Sequence, residues 1–297
     1  MRAIAAGMGL GMLLAGASAW TQSPQQPVSS TQAVPTATSP DYTAVYCSSF
    51  VTSELGGDDS RVISGEDSNS KVAFAQRDLV FINKGGSQGV HVGDRYFVFR
   101  AEKDPIDVQW FKWQDKIMKA MGTMYKDIGQ LKVVNVQPNV STAEVTFSCD
   151  YLQRGDMLRP WQERPSPPYK SSENFDIFAP VSGKSVGMLV VGKDFSQEYG
   201  KYNTAFVNLG TNQGVKVGDY MRIFRYQGGN SQTASYYDDY QYKMYGFGST
   251  PQKYEWNDLP RQILGEGVVL NVSPNSSTVF ITYSRGEMFA GDYTEIE

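Results

Sequence analysis

Residues 83–100 read NKGGSQGVHVGDRYFVFR, and residues 208–225 read NLGTNQGVKVGDYMRIFR. The two align without a gap, and ten of the eighteen positions are identical. One copy alone reads as a Gly-rich binding loop. The second copy argues for a frame, because the kept residues are mostly turn and strand formers. Glycine reaches positive φ without steric penalty. An aspartate just after it can accept hydrogen bonds from the amides of its own turn. Gly89, Gly93 and Asp94, with Gly214, Gly218 and Asp219, are therefore expected to pin a turn-strand-turn-strand unit. In it Val90-His91-Val92 is a short strand, and Tyr96–Phe99 and Met221–Phe224 are longer ones.

The duplication extends on both sides. Upstream, Arg61–Asn83 parallels Gly187–Asn208, with Gly65-Glu66-Asp67 against Gly192-Lys193-Asp194. Downstream, GQLKVVNVQPNVSTAEVTFS from Gly129 parallels GEGVVLNVSPNSSTVFITYS from Gly265. Each copy closes on a second Gly-Asp pair, Gly155-Asp156 and Gly291-Asp292. The reading is two homologous domains, 44–160 and 184–297. KVVNV and VVLNV are β-branched runs bounded by turn residues, and the Pro-Asn pairs after them mark hairpins. Alternation puts Ala143, Val145 and Phe147 on one face, and Val279, Ile281 and Tyr283 on another. The fold class is mainly β: two tandem small β-barrel-like domains.

The copies differ in their middles. Residues 101–128 hold Trp110, Trp113, Ile117, Met121 and Met124 at spacings of three or four, which predicts a short amphipathic helix. That spacing also fits simple packing of the helix onto its own barrel. Residues 226–264 are rich in Gly, Ser and Tyr and read as a long loop. Because loops tolerate change better than scaffolds, the insertions are where function diverges. The candidate binding residues are accordingly Trp110 and Trp113, with Tyr236, Tyr237, Tyr240, Tyr242 and Tyr245.

Residues 1–19 have Arg2, an apolar run from Ala3 to Ala15 and a closing Ala17-Ser18-Ala19, the pattern of a cleaved secretory signal. Residues 20–43, rich in Pro, Ser, Thr and Gln, read as a flexible tether. Residues 161–183 form a Pro-rich linker, expected to act as a semi-rigid spacer. The chain has two cysteines, Cys47 and Cys149. In an exported protein they are expected to form one disulfide.

Most chemistry lacks residues to perform it. The one histidine, His91, occupies a position filled by Lys216 in the other copy, and reads as solvent-facing. Two distant cysteines and one histidine make no standard zinc site, and neither metal nor cofactor is expected. A net charge of −4 gives no basic face for nucleic acid. Glycosidases need two suitably spaced carboxylates, and Glu173, Asp176, Asp194, Glu198, Asp238, Asp239, Glu255 and Asp258 are available, but the sequence selects no pair.

The pattern N-x-G-(x)2-QGV-x-VGD-(x)3-(V/I)-F-R resembles Gly-Asp-containing β modules of bacterial envelope proteins. One is the C-terminal domain of the flagellar assembly protein T, and another follows peptidoglycan-binding LysM motifs. The corresponding parts here are Asp78–Phe81, Tyr96–Arg100 and Gly155–Pro160. The chain is also similar to an uncharacterised family of exported acidobacterial proteins, through Tyr46–Phe50 and Phe147–Asp150. The LysM motif itself is absent. The resemblance implies an exported, non-catalytic β module of the cell envelope. The expected function is a scaffold or adaptor, in the periplasm or outer envelope, that presents its insertions to a protein partner. A carbohydrate-binding module for peptidoglycan or surface polysaccharide is the alternative, and a hydrolase the least favoured. No transmembrane segment is expected in the mature chain.

Overall fold

The computed structural model describes residues 38–56, 59–67, 69–104, 109–170, 175–227 and 259–297. The first repeat holds β1 (Phe50–Thr52), β2 (Val62–Gly65), β3 (Leu79–Ile82), β4 (Arg95–Glu102), β5 (Thr123–Val136), β6 (Ser141–Ser148) and β7 (Met157–Pro160). Its strands run in the order β2-β3-β6-β5-β4-β7, with β1 paired to β5. An isolated bridge between Arg61 and Met157 joins the ends, supported by Val62 N–H donating to the Asp156 carbonyl at 2.9 Å. The second repeat holds β8 (Val186–Gly192), β9 (Glu198–Tyr199), β10 (Thr204–Val207), β11 (Tyr220–Arg225), β12 (Gln262–Val272), β13 (Ser277–Ser284), β14 (Met288–Phe289) and β15 (Tyr293–Ile296). Six of these close a barrel in the order β10-β13-β12-β11-β15-β8. Replacing each strand of the first repeat by its counterpart reproduces that circular order. The duplicated strand pattern thus forms mainly β structure: a closed six-stranded barrel in the second repeat, and in the first a barrel-like sheet of the same order whose ends meet at one bridge.

Inward-facing β-branched and aliphatic residues fill the first barrel, among them Val80, Ile82, Val98, Leu131, Val133, Ala143 and Val145. Burying such side chains stabilises the fold by roughly 25 cal/mol per Å² of apolar surface. Phe147 departs from the expected face. Register runs from Leu131↔Val145 to Gln130↔Phe147, so Thr146 is an extra residue, a β-bulge. Phe147 therefore turns outward and packs with Val45, Tyr46, Phe97 and Trp161. The second repeat repeats the device at Thr282, between Gly267↔Ile281 and Glu266↔Tyr283. Each bulge threonine donates its hydroxyl to the opposing carbonyl, Thr146 to Gln130 at 3.2 Å and Thr282 to Glu266 at 3.3 Å.

The short strand expected at Val90–Val92 is a turn instead. Glycines at φ 79° and 98°, Gly89 and Gly93, bend the backbone too sharply for extended pairing.

The helix of the first insertion, α2 (Gln114–Met121), is shorter than the Trp110–Met124 periodicity predicts. Trp113 just before it is left-handed at φ 77°, and Met124 already belongs to β5. Nor does the insertion pack on its own barrel alone. Phe111, Met121 and Met124 join Leu189, Val191, Met221, Ile281 and Met288 of the second repeat in one buried cluster. Buried Gln114 fixes the register of this contact. Its Nε2 donates to the Val190 carbonyl at 2.7 Å and to Gln197 Oε1 at 3.0 Å, and its Oε1 accepts Trp110 N–H at 2.8 Å. A buried amide with both ends satisfied specifies one arrangement, because any shift leaves it unpaired.

The Pro-rich segment does not stand off as a spacer. Arg164 reaches buried Asp127 on β5 with two hydrogen bonds of 2.8 Å. Tyr169 N–H donates to the Thr38 carbonyl at 2.7 Å, and Ser166 Oγ to the Pro40 carbonyl at 2.6 Å. Proline set the segment extended, and the buried carboxylate drew it in as a strap. Residues 38–43, expected within the tether, likewise carry structure. Asp41 caps the short helix α1 (Tyr42–Tyr46) by accepting Ala44 N–H at 2.7 Å. Cys47 and Cys149 lie at disulfide distance, with Cα atoms 5.6 Å apart.

Candidate functional site

The retained motif residues each perform a backbone task in both repeats. Asp94 Oδ2 accepts His91 N–H at 2.9 Å, and Asp219 Oδ2 accepts Lys216 N–H at 2.8 Å. Gln88 and Gln213 reach back to Gly85 and Gly210 N–H, each at 2.8 Å. Gly89, Gly93, Gly155, Gly214, Gly218 and Gly291 all have positive φ. The terminal aspartates are buried and forked by the motif arginines, Arg100 on Asp156 and Arg225 on Asp292. Asp156 also accepts Gln153 N–H, and Asp292 accepts Phe289 N–H. These carboxylates are fully engaged within the fold.

The other sequence candidates scatter. Trp110 is partly buried against the core of the second barrel, so it is a packing residue there. Trp113 is 51% exposed, with Lys116 Nζ 4.1 Å from its ring centroid. Tyr236, Tyr237, Tyr240, Tyr242 and Tyr245 lie outside the described residues, as do Glu173, Asp238, Asp239, Glu255 and Asp258. Asp176 accepts Phe178 N–H at 2.8 Å in a turn. Among the described residues no cluster of three or more His, Cys, Asp or Glu is placed to hold a metal ion. No described helix is long and apolar enough to cross a membrane.

What the sequence did not single out is a groove at the meeting point of three separated segments. It has a volume of about 580 Å³. Asp41, Thr43 and Ala44 come from the α1 segment, Tyr169 from the strap, and Lys193, Asp194, Ser196, Tyr202, Asn203, Thr204 and Phe280 from the second repeat. Two left-handed turns shape the wall, at Asp194 (φ 55°) and Tyr202 (φ 72°). The first repeat has the same turns at Asp67 (φ 52°) and Arg77 (φ 78°). The backbone shape is therefore part of the frame, and the side chains mounted on it are what differ. Tyr202 N–H is held by the Ile281 carbonyl at 2.7 Å, as Arg77 N–H is by Val145 at 2.8 Å.

Charge in the groove is largely matched. Asp194 pairs at 2.9 Å with Lys126, which reaches across from β5 and also holds Asp150 at 3.0 Å. Burial pushes the Lys126 ammonium toward deprotonation, but the hydrogen bonds to Asp194 and Asp150 outweigh it and lift its pKa above the ordinary lysine value. Tyr169 is raised above the usual phenol range, chiefly by burial and then by neighbouring Tyr202 and Asp41. It stays a neutral hydroxyl at every physiological pH. No protein-family model matches the chain, and no curated protein is similar to it in sequence.

Proposed function

We propose that the protein is an exported, non-catalytic binding protein of the cell envelope, and that its ligand occupies the groove between the α1 segment, the strap and the second barrel. One observation carries this reading. A concave surface of ligand size, about 580 Å³, is assembled from stretches far apart in sequence, while the duplicated motif residues are tied up in the frame. Ligand sites favour such junctions because each segment contributes different side chains to one fixed geometry. Sedimentation of the full mature chain with a purified envelope fraction tests it. Thr204→Trp, which fills the groove, should cut co-sedimentation at least tenfold, and Val72→Trp on an exposed surface should not. Equal co-sedimentation of both variants and the parent would overturn the reading.

A second reading keeps the adaptor role for the insertion at 226–264. The pairing of β11 with β12 runs to Arg225↔Gln262, so the two ends of the insertion leave the barrel side by side. An insertion rooted in this way leaves the pairing of β11 with β12 intact. Deleting residues 230–254 and comparing cross-linked envelope partners tests it, and an unchanged partner set counts against it.

A further inference from the structure

The composition of the groove points to a ligand class. Its floor is apolar, formed by Phe280 and Ala44. Above the floor stands Tyr202, 57% exposed, its ring stacked on Phe280 at a centroid distance of 6.0 Å and an interplanar angle of 27°. Tyr169 supplies a second phenol from the strap side. Around this apolar strip are short neutral hydrogen-bonding groups: the hydroxyls of Thr43, Thr204 and Tyr169, and the amide of Asn203. Asn203 Oδ1 is engaged with Gly200 N–H at 2.7 Å, which orients the side chain and leaves its NH₂ for a ligand. The two carboxylates are already committed, Asp41 to the α1 N-terminus and Asp194 to Lys126.

An apolar strip edged by neutral donors and acceptors complements a molecule with C–H faces and hydroxyl rims. A purely apolar ligand would strand the hydroxyls unpaired. A strongly charged one would meet a near-balanced lining with Lys193 as its main partner. We propose that the groove binds a neutral, hydroxyl-rich oligosaccharide, with a pyranose C–H face on Tyr202 and ring hydroxyls on Asn203, Thr204 and Thr43. The inference rests on the reading of the groove as the ligand site. Tyr202 would then be the specificity position that distinguishes the repeats, since the same turn carries Arg77 in the first.

The test titrates the full mature chain with N-acetylglucosamine trimer, cellotriose and maltotriose, observing saturation-transfer NMR of the sugars and shifts of the protein. The comparison variant is Tyr202→Asn, because asparagine tolerates a left-handed backbone and so preserves the turn at φ 72°. Phe178→Ala, another exposed aromatic and outside the groove lining, is the control. Binding of at least one sugar, weakened tenfold or more by Tyr202→Asn and unchanged by Phe178→Ala, is the expected result. Failure of all three sugars to bind, or binding indifferent to Tyr202→Asn, overturns the inference. Failure of the groove itself would show differently: Thr204→Trp would then leave envelope co-sedimentation unaltered. If Thr204→Trp abolishes co-sedimentation while no sugar binds, the groove reading stands and a peptide ligand replaces the saccharide.

Discussion

Arg100 grips Asp156 with two hydrogen bonds, Nε to Oδ1 at 2.7 Å and Nη2 to Oδ2 at 2.9 Å. Arg225 grips Asp292 in the same way, at 2.6 and 2.7 Å. The last residue of the duplicated stretch thus fastens the last Gly-Asp pair, and each clamp ties β4 or β11 to the turn that leads into the last strand of its repeat, β7 or β15. The aspartates are 1% and 4% exposed. Removing one partner of a buried pair leaves a desolvated charge, typically a loss of about 3–5 kcal/mol. Arg100→Met and Arg225→Met are each expected to destabilise by that order in urea unfolding. The double change Arg100→Met/Asp156→Leu should recover much of the loss, since an apolar replacement removes the stranded charge. A single variant within about 0.5 kcal/mol of the parent would show that the clamp is not structural.

Cys47 follows α1 and Cys149 follows β6, so a bond between them closes a loop with a sequence separation of 102. Loops of that length restrict the unfolded chain by about 4–5 kcal/mol in the chain-entropy model. Cys47→Ser/Cys149→Ser is expected to lower the urea midpoint substantially, and reduction of the parent should lower it equally. Mass spectrometry under non-reducing conditions should find no alkylatable thiol.

Glu266 on β12 is buried, and burial first, then its hydrogen bond with Glu297, raises its pKa to about 7 despite Lys170 at 3.3 Å. A carboxyl whose folded pKa exceeds the unfolded value binds more protons when folded. Stability therefore declines as pH rises between about 4.5 and 7, and levels off above. The first repeat carries Gln130 at the same place, which cannot titrate. Glu266→Gln is expected to remove a decline of roughly 1–2 kcal/mol between pH 5 and 8, measured by urea unfolding at both values. A parallel decline in the variant would assign the effect to another group.

The sequence made the barrels legible because duplication marks a frame: residues kept in both copies are those that turns and strands require. It made the clamps illegible, because Arg100 and Asp156 are separated by a chain distance that no local pattern bridges. Phe147 was misplaced by alternation, since a bulge leaves no mark beyond an ordinary threonine. Helical spacing showed that Ile117 and Met121 face something apolar, but not that it belongs to the other repeat. Proline content showed that the strap is extended, while nothing local in the sequence marks Asp127 as its anchor. The groove is illegible for the same reason. Its wall residue Tyr202 occupies a position where the first copy has arginine, and its other sides come from the α1 segment and the strap.

The α1 segment and the strap pack on the first repeat while the remaining groove wall belongs to the second, so the groove depends on the two repeats staying packed, and Phe111 lies in the buried cluster that packs them. Its ring lies 3.1 Å from where a side chain on Gly291 would begin, so the fit is close. Phe111→Ala is expected to lose about 3–5 kcal/mol. The most direct measurement is thermal unfolding of the mature chain, followed by calorimetry and by hydrogen exchange on β5 and β12. One cooperative transition with coincident loss of protection in both strands is the expected result. Two separated transitions, one for each repeat, would contradict a single body and remove the basis for a site at its junction.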